Sequence, residues 1–171
     1  MIAIKKTYRI RKGEKMAIEK VRAFFKEHGI ENRIQEFDVS SATVELAAAA
    51  LGCDGARIAK SLSFSVDGKA ILVIAAGDAK VDNGKYKATF SSKAKMLTPD
   101  EVSDMIGHGV GGVCPFAIPE EVKVYLDVSL KRFETVFPAC GSSNSAIELT
   151  IAELEKYSGS SSWVDVCKNW E

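Results

Sequence analysis

Apolar positions along the chain follow two spacings. In "RIAKSLSFSV", Arg57 to Val66, residues Lys60, Leu62, Phe64 and Val66 share one phase of a two-residue alternation, and Ser61, Ser63 and Ser65 share the other. That is the pattern of a strand. Asp67-Gly68 follows, a dipeptide suited to a tight turn, and "KAILVIAAGD" returns as a second strand, giving a β-hairpin. In "MAIEKVRAFFKEHGI" the spacing changes: Ile18, Val21, Phe24 and Phe25 lie on one helical stripe that Gly29 stops, and His28 suits the negative end of the helix dipole. "SATVELAAAALG" predicts a second helix ending at Gly52. "TPDEVSDMIG" predicts another, with Thr98 as N-cap, Pro99 in the first turn, Glu101 completing a capping box and Gly107 as stop. Thr150 and Glu153 repeat the box before "IAELEKYSG". Shorter strands are expected at "ENRIQEF", "VKVYLDVSL", "ETVFPACG" and "AIELT", with "GSSNS" turning the last two into a second hairpin. The polar run "AKVDNGKYKATFSSKAKM" reads as a short helix or loop with a strand at "KYKATF".

Hairpins interspersed with helices, without regular βα alternation, predict an α+β fold: a mixed, mostly antiparallel sheet, curled or barrel-like, with helices around it. The chain of 171 residues is one domain's worth. Residues 1–15 hold Lys5, Lys6, Arg9, Arg11, Lys12 and Lys15 against Glu14, a net +5, so the remainder carries a net −5. The expected organisation is a basic extension over 1–15, a solvated tail or a segment that touches a phosphate backbone, followed by a folded domain over 16–171. No run reaches the ~18 apolar residues of a membrane helix, and the start lacks the apolar core of a secretory signal, so a cytoplasmic address without membrane contact is expected. Overall neutrality argues against broad nonspecific nucleic-acid affinity, DNA included.

The chemistry-bearing positions are few. Cys53, Cys114, Cys140 and Cys167 form no metal-ligand spacing and read as free thiols. "GHGVGGVCPFAIP" contains G-x-G-x-x-G at Gly107, Gly109 and Gly112, but a helix precedes it and Pro115 and Pro119 oppose one after it, which excludes the dinucleotide fingerprint. Two readings fit the loop equally: a stiff bend offering bare N–H groups to a ligand, or a tight helix-to-strand connection. Lys60 also has two readings, an edge lysine extending to water along its stem or an amine held at a cavity.

Lys60-Ser61 in "AKSLSF", the G-x-x-x-P of "GVGGVCP" from Gly111 to Pro115, the aspartate of "VYLDVS", and "ACG" followed by "AIELT" occur in an order that resembles the YbaK/ProX family of aminoacyl-tRNA deacylases, relatives of the editing domain of bacterial prolyl-tRNA synthetases. The resemblance runs from about Met16 to Gly159. It implies a mixed α/β fold around a small cavity and hydrolysis of the ester joining a wrong amino acid to tRNA, typically tRNA for proline. By the same resemblance Lys60, Gly111 and Gly112 are the catalytic positions, and Ser61, Pro115, Asp127 and Gly141 the substrate-binding ones. Ser142, Ser143 and Asn144 depart from the polar or basic residues that some relatives carry after the last glycine, and "AKVDNGKYKATF" is shorter than the matching helical stretch.

Ester hydrolysis needs a held substrate, a stabilised carbonyl oxygen and a water within reach, and it requires no metal or cofactor. Amides of the Gly111–Cys114 stretch are candidate carbonyl donors. Lys60 would hold phosphate or developing charge with Asp127 as counter-ion, and the "LSFSV" and "ILVIAA" strands would wall the cavity. The expected partners are aminoacyl-tRNA and a prolyl-tRNA synthetase. Two rival readings remain. One is a cysteine hydrolase using Cys114 or Cys140 with His108 or His28 as base; the other is a module that binds an aminoacyl end or a nucleotide without cleaving it.

Overall fold

Local sequence signals set most element ends in the computed structural model, which describes residues 8–171. The elements, in order, are α1 (Lys12–Glu27), β1 (Gln35–Glu36), α2 (Val44–Leu51), β2 (Ile58–Val66), β3 (Lys69–Ala76), β4 (Lys80–Val81), α3 (Asn83–Phe90) and α4 (Pro99–Ile106). They continue with β5 (Lys123–Asp127), β6 (Thr135–Pro138), β7 (Ser145–Ala146), β8 (Leu149–Thr150), α5 (Ile151–Ser158), β9 (Ser162–Val164) and β10 (Cys167–Lys168). The Thr98 hydroxyl accepts the N–H of Glu101 at the start of α4, and the Thr150 hydroxyl accepts that of Glu153 at the start of α5. Gly52, Gly107 and Gly159 end α2, α4 and α5 in the left-handed region, where the absence of a Cβ removes the steric cost.

One six-stranded sheet, in the order β8-β6-β2-β3-β5-β9, curls to form the centre. β2 and β3 pair antiparallel from Ala59↔Ala76 to Val66↔Lys69, the hairpin expected at Asp67-Gly68. β5 adds parallel to β3, β9 parallel to β5, and β6 parallel to β2, while β8 returns antiparallel to β6. β1 with β7 and β4 with β10 make small antiparallel ladders, so antiparallel pairings outnumber parallel ones by four to three. β3 is the most buried strand: Leu72 through Ala76 are inaccessible. Val21 and Phe25 of α1 pack into the same core, as do Leu126 of β5 and Leu154 of α5.

Two expectations change, and a third is met with a difference in burial. "KYKATF" is not a strand but the body of α3, because Asp82 caps it by accepting the Lys85 N–H and Tyr86 is buried one turn in, against Phe64 and Phe90. The second hairpin forms as expected, β6 pairing antiparallel with β8 across "GSSNS", but its link is buried from Gly141 through Ser145, and β7 pairs with β1 inside this stretch. Helix α1 begins at Lys12 rather than Met16, since Glu14 is 4% exposed and shares the buried stripe of Ala17, Ile18, Val21 and Phe25. Residues 12–15 therefore belong to the folded body; residues 1–7 of the expected extension lie outside the described residues. No described helix is long and apolar enough to cross a membrane.

Candidate active site

A cavity of about 370 Å³ opens on the face of the sheet beside β2, lined from the stretches 41–47, 58–63, 96–102, 110–113 and 137–146. Its walls are mostly apolar, with Ala59, Leu97, Val102, Val113, Phe137 and Ala139 among them. β3 contributes nothing to it, because that strand is spent on the core, so the expected "ILVIAA" wall is replaced by segments far away in sequence.

Lys60 is the one charged side chain among the described residues lining the cavity. Its side chain is half-buried, and its amine does not pair with Asp127. The Nζ donates to the carbonyl of Gly77 at 3.2 Å and, closer still, to that of Ala79. Those carbonyls come within reach because β3 ends in a turn at Gly77, where an added Cβ would stand 2.0 Å from the Gly55 carbonyl oxygen. Burial pushes the Lys60 pKa below the ordinary lysine value, with attraction to Cys167 and Asp78 offsetting part of it. An ammonium has three donors, and two carbonyls leave one for a ligand.

The glycine loop meets the cavity at Gly111, with a φ of 93°. Here an added Cβ would lie 2.9 Å from Ala42 Cβ. Gly112 does not line the cavity, and its N–H closes the turn onto the Gly109 carbonyl at 3.1 Å, so it is not a free carbonyl donor. Its lack of a side chain serves packing: a Cβ there would sit 2.7 Å from the backbone of Gly141 and Ser142. Gly141 in turn, with a φ of 95°, would put a Cβ 2.9 Å from the backbone of Ala17 in α1. The two glycines let the loop, the 141–145 segment and α1 stack backbone to backbone. Pro115 is buried beyond the loop, away from the cavity.

Of the expected residues, the fold brings Lys60, Ser61 and Gly111 together on one cavity; Gly112, Pro115, Asp127 and Gly141 are not in its lining. Asp127 is inaccessible, and both its carboxylate oxygens are taken by main-chain donors, Ser129 N–H at 3.0 Å and Val166 N–H at 2.9 Å. It is a structural cap that joins β5 to the C-terminal segment. The hydroxyls of Ser61 and Ser41 are both buried without a hydrogen-bond partner among the described residues.

Sequence reasoning missed Ser41, Thr43, Ser143 and Glu14. Ser143 is a junction: its N–H donates to Glu14 Oε1 at 2.8 Å, its carbonyl accepts the Ser41 N–H at 2.7 Å, and its hydroxyl bonds Tyr8. Burial raises the Glu14 carboxyl, but bonds from Ser143 and Arg11 outweigh this and hold it below the ordinary carboxylate value. The available signal was Glu14's place three residues before Ala17, in phase with the apolar stripe of α1.

His108, the candidate base for Cys114, is held inside the fold. The ring is 2% exposed, Nε2 lies 3.1 Å from the Phe116 carbonyl oxygen, and Cys114 Sγ lies 3.6 Å from the same nitrogen. The pair is assembled but sealed. Burial pushes the Cys114 thiol up to about 12 and the His108 imidazole below its ordinary value. A thiol that stays protonated and meets no solvent is not a nucleophile. Cys140, also fully buried, has its thiol pushed up by the same cause.

A sequence profile of the aminoacyl-tRNA editing domain matches residues 38–157, a span that carries Lys60, the glycine loop and the 141–145 segment. The chain belongs to the aminoacyl-tRNA editing domain family. The editing domain's relatives include the uncharacterized protein YwhH of Bacillus subtilis, 57% identical over 157 residues, 91% of this chain and 100% of that one. The proline–tRNA ligase of Lysinibacillus sphaericus is 33% identical over 90 residues, 52% of this chain but 16% of the ligase, so the match spans about a sixth of that enzyme. Among solved structures, a candidate trans-editing enzyme for prolyl tRNA synthetase superposes with a TM-score of 0.80 at 27% identity, covering 89% of this chain and 97% of that one. The hypothetical protein APE2540 gives 0.77 at 27% identity over 87% and 99%.

Proposed function

We propose that this editing domain acts as a free-standing deacylase, hydrolysing the ester of tRNA charged with the wrong small amino acid, with Cys- or Ala-tRNA for proline as the substrates to test first. The observation that carries the reading is that Lys60, the one charged residue among the described residues lining the cavity, shares that hollow with Gly111. In this reading the third donor of Lys60 holds the charge of the terminal nucleotide or the oxygen that gains charge during attack. The Gly111 N–H, which has no backbone partner among the described residues, polarises the ester carbonyl. One such donor is worth ~3 kcal/mol of transition-state stabilisation. Water is the nucleophile, and the apolar walls select the acyl group by size. The proline–tRNA ligase relatives support tRNA for proline, and a prolyl-tRNA synthetase is the natural partner.

The test is a panel of mischarged tRNAs incubated with purified protein. Cys- or Ala-tRNA for proline is expected to lose its amino acid fastest, and Lys60→Ala to slow this at least about tenfold, the loss of one good electrostatic contact, with its melting temperature recorded alongside. Tight binding of charged tRNA without turnover would make the domain a binding module instead. Equal rates for the Lys60 variant would remove the amine from the site.

A further inference from the structure

We propose that the basic segment before and within the first turn of α1 is an RNA-contact surface, built onto the cavity rim to hold phosphates at the acceptor end of the tRNA; this rests on the deacylase reading above. The sequence concentrates a net +5 in residues 1–15 and leaves the rest of the chain at a net −5. In the fold, Arg9, Arg11, Lys12 and Lys15 are all exposed. Glu14, the one acid among them, is turned inward, its oxygens accepting the Arg11 and Ser143 N–H groups at 2.8 Å each. Arg9, Lys12 and Lys15 face solvent, Arg11 is exposed with its guanidinium 3.5 Å from Glu14, and the Glu14 carboxylate is otherwise spent on main-chain donors. The next acid along the helix, Glu19, is exposed one turn further on.

The segment is also fastened to the cavity. Tyr8 Oη lies 2.7 Å from Ser143 Oγ, and Glu14 holds the Ser143 N–H. Ser143 carries the Ser41 N–H on its carbonyl, and its Cβ would lie 3.4 Å from a Cβ at Gly111. Ser41 and Gly111 are both cavity wall. A merely solvated tail has no need of two side chains, 135 and 129 residues away in sequence from their partner, to pin it to the rim. The charge pattern supplies what the cavity lacks: Lys60 alone cannot hold a polyanion against a body of net negative charge, and an ester delivered at the end of an RNA strand brings its phosphates to the rim.

The experiment measures binding of uncharged tRNA by fluorescence anisotropy across a salt series, using the full chain. Arg9→Gln/Lys12→Gln/Lys15→Gln is expected to raise Kd about tenfold and to reduce the slope of log Kd against log salt by about 2, the effect of removing three phosphate contacts. A control of equal charge change on exposed lysines elsewhere, Lys69→Gln/Lys87→Gln/Lys123→Gln, is expected to move Kd less than about twofold. Equal shifts from both triples, or none from the first, overturn the proposal. Hydrolysis of mischarged tRNA by the wild-type chain is measured in parallel. Failure there, with the tRNA binding shift intact, overturns the deacylase reading and leaves the surface supported.

Discussion

Two kinds of residue carry this site, those that act by their chemistry and those that act by having no side chain. Under the proposed function Lys60 is of the first kind; Gly112 and Gly141 are of the second, since a Cβ on either would overlap neighbouring backbone, and a glycine read from sequence does not say which kind it is. Gly141→Ala is expected to destabilise the fold by roughly 2–3 kcal/mol, from the strained φ and the overlap with the Ala17 backbone. Chemical denaturation checks it, and a loss below about 0.5 kcal/mol, typical of a neutral surface change, would show that α1 shifts freely away. The thiols give a sharper test. Because burial holds Cys114 protonated with a pKa of about 12, iodoacetamide near pH 8 is expected to leave it unlabelled in the native protein and to label it after unfolding. Cys114→Ser is expected to retain deacylation, and a loss of activity with the fold intact would revive the cysteine-hydrolase reading.

At the level of elements, helix ends were legible because their signals are local: a hydroxyl three residues before an N–H, a glycine where the chain turns left-handed. α5 shows how such a cap is reused. Glu153 closes the box onto the Thr150 N–H at 2.9 Å and also receives Arg33 Nη1 at 2.7 Å, tying the helix start to the segment before β1. The bond from Arg33, followed by the cap itself, holds the Glu153 pKa down to about 2 against a cost of burial. A carboxyl depressed in the folded state adds stability that is complete above its unfolded value and is lost as pH falls from the ordinary carboxylate range toward 2. Glu153→Gln is therefore expected to cost about 1 kcal/mol at neutral pH, with the deficit shrinking between pH 4.5 and pH 2. Thermal melts across that range check it; a deficit independent of pH would assign the effect to packing alone. α3 was misread because its apolar residues are too few to set a period, and the Asp82 cap with Tyr86 burial decided in favour of helix.

On the scale of the whole molecule, the cavity is the product of five separated stretches, and its width is set where they meet. Ala59 of β2 and Ala139, just past the end of β6, line it and leave room that larger residues would fill. Ala139→Val is expected to lower kcat/KM for the larger of two accepted acyl groups about tenfold relative to the smaller, since one methylene in an apolar pocket is worth ~1–3 kcal/mol. Competition between two mischarged tRNAs measures the ratio, and an unchanged ratio would place the acyl group elsewhere. By itself the sequence determined the hairpin at Asp67-Gly68, the capped helices, the α+β class and the family, because each is written in short-range periodicity, turn chemistry or motif order. Only the tertiary structure decided that Lys60 is held by main-chain carbonyls, that Asp127 is a cap, that Gly112 and Gly141 serve close packing, and that Glu14 and Ser143 join α1 to the cavity. Those roles depend on which backbone atoms approach from far along the chain, and no local pattern encodes the distance between groups that meet only when the sheet has curled.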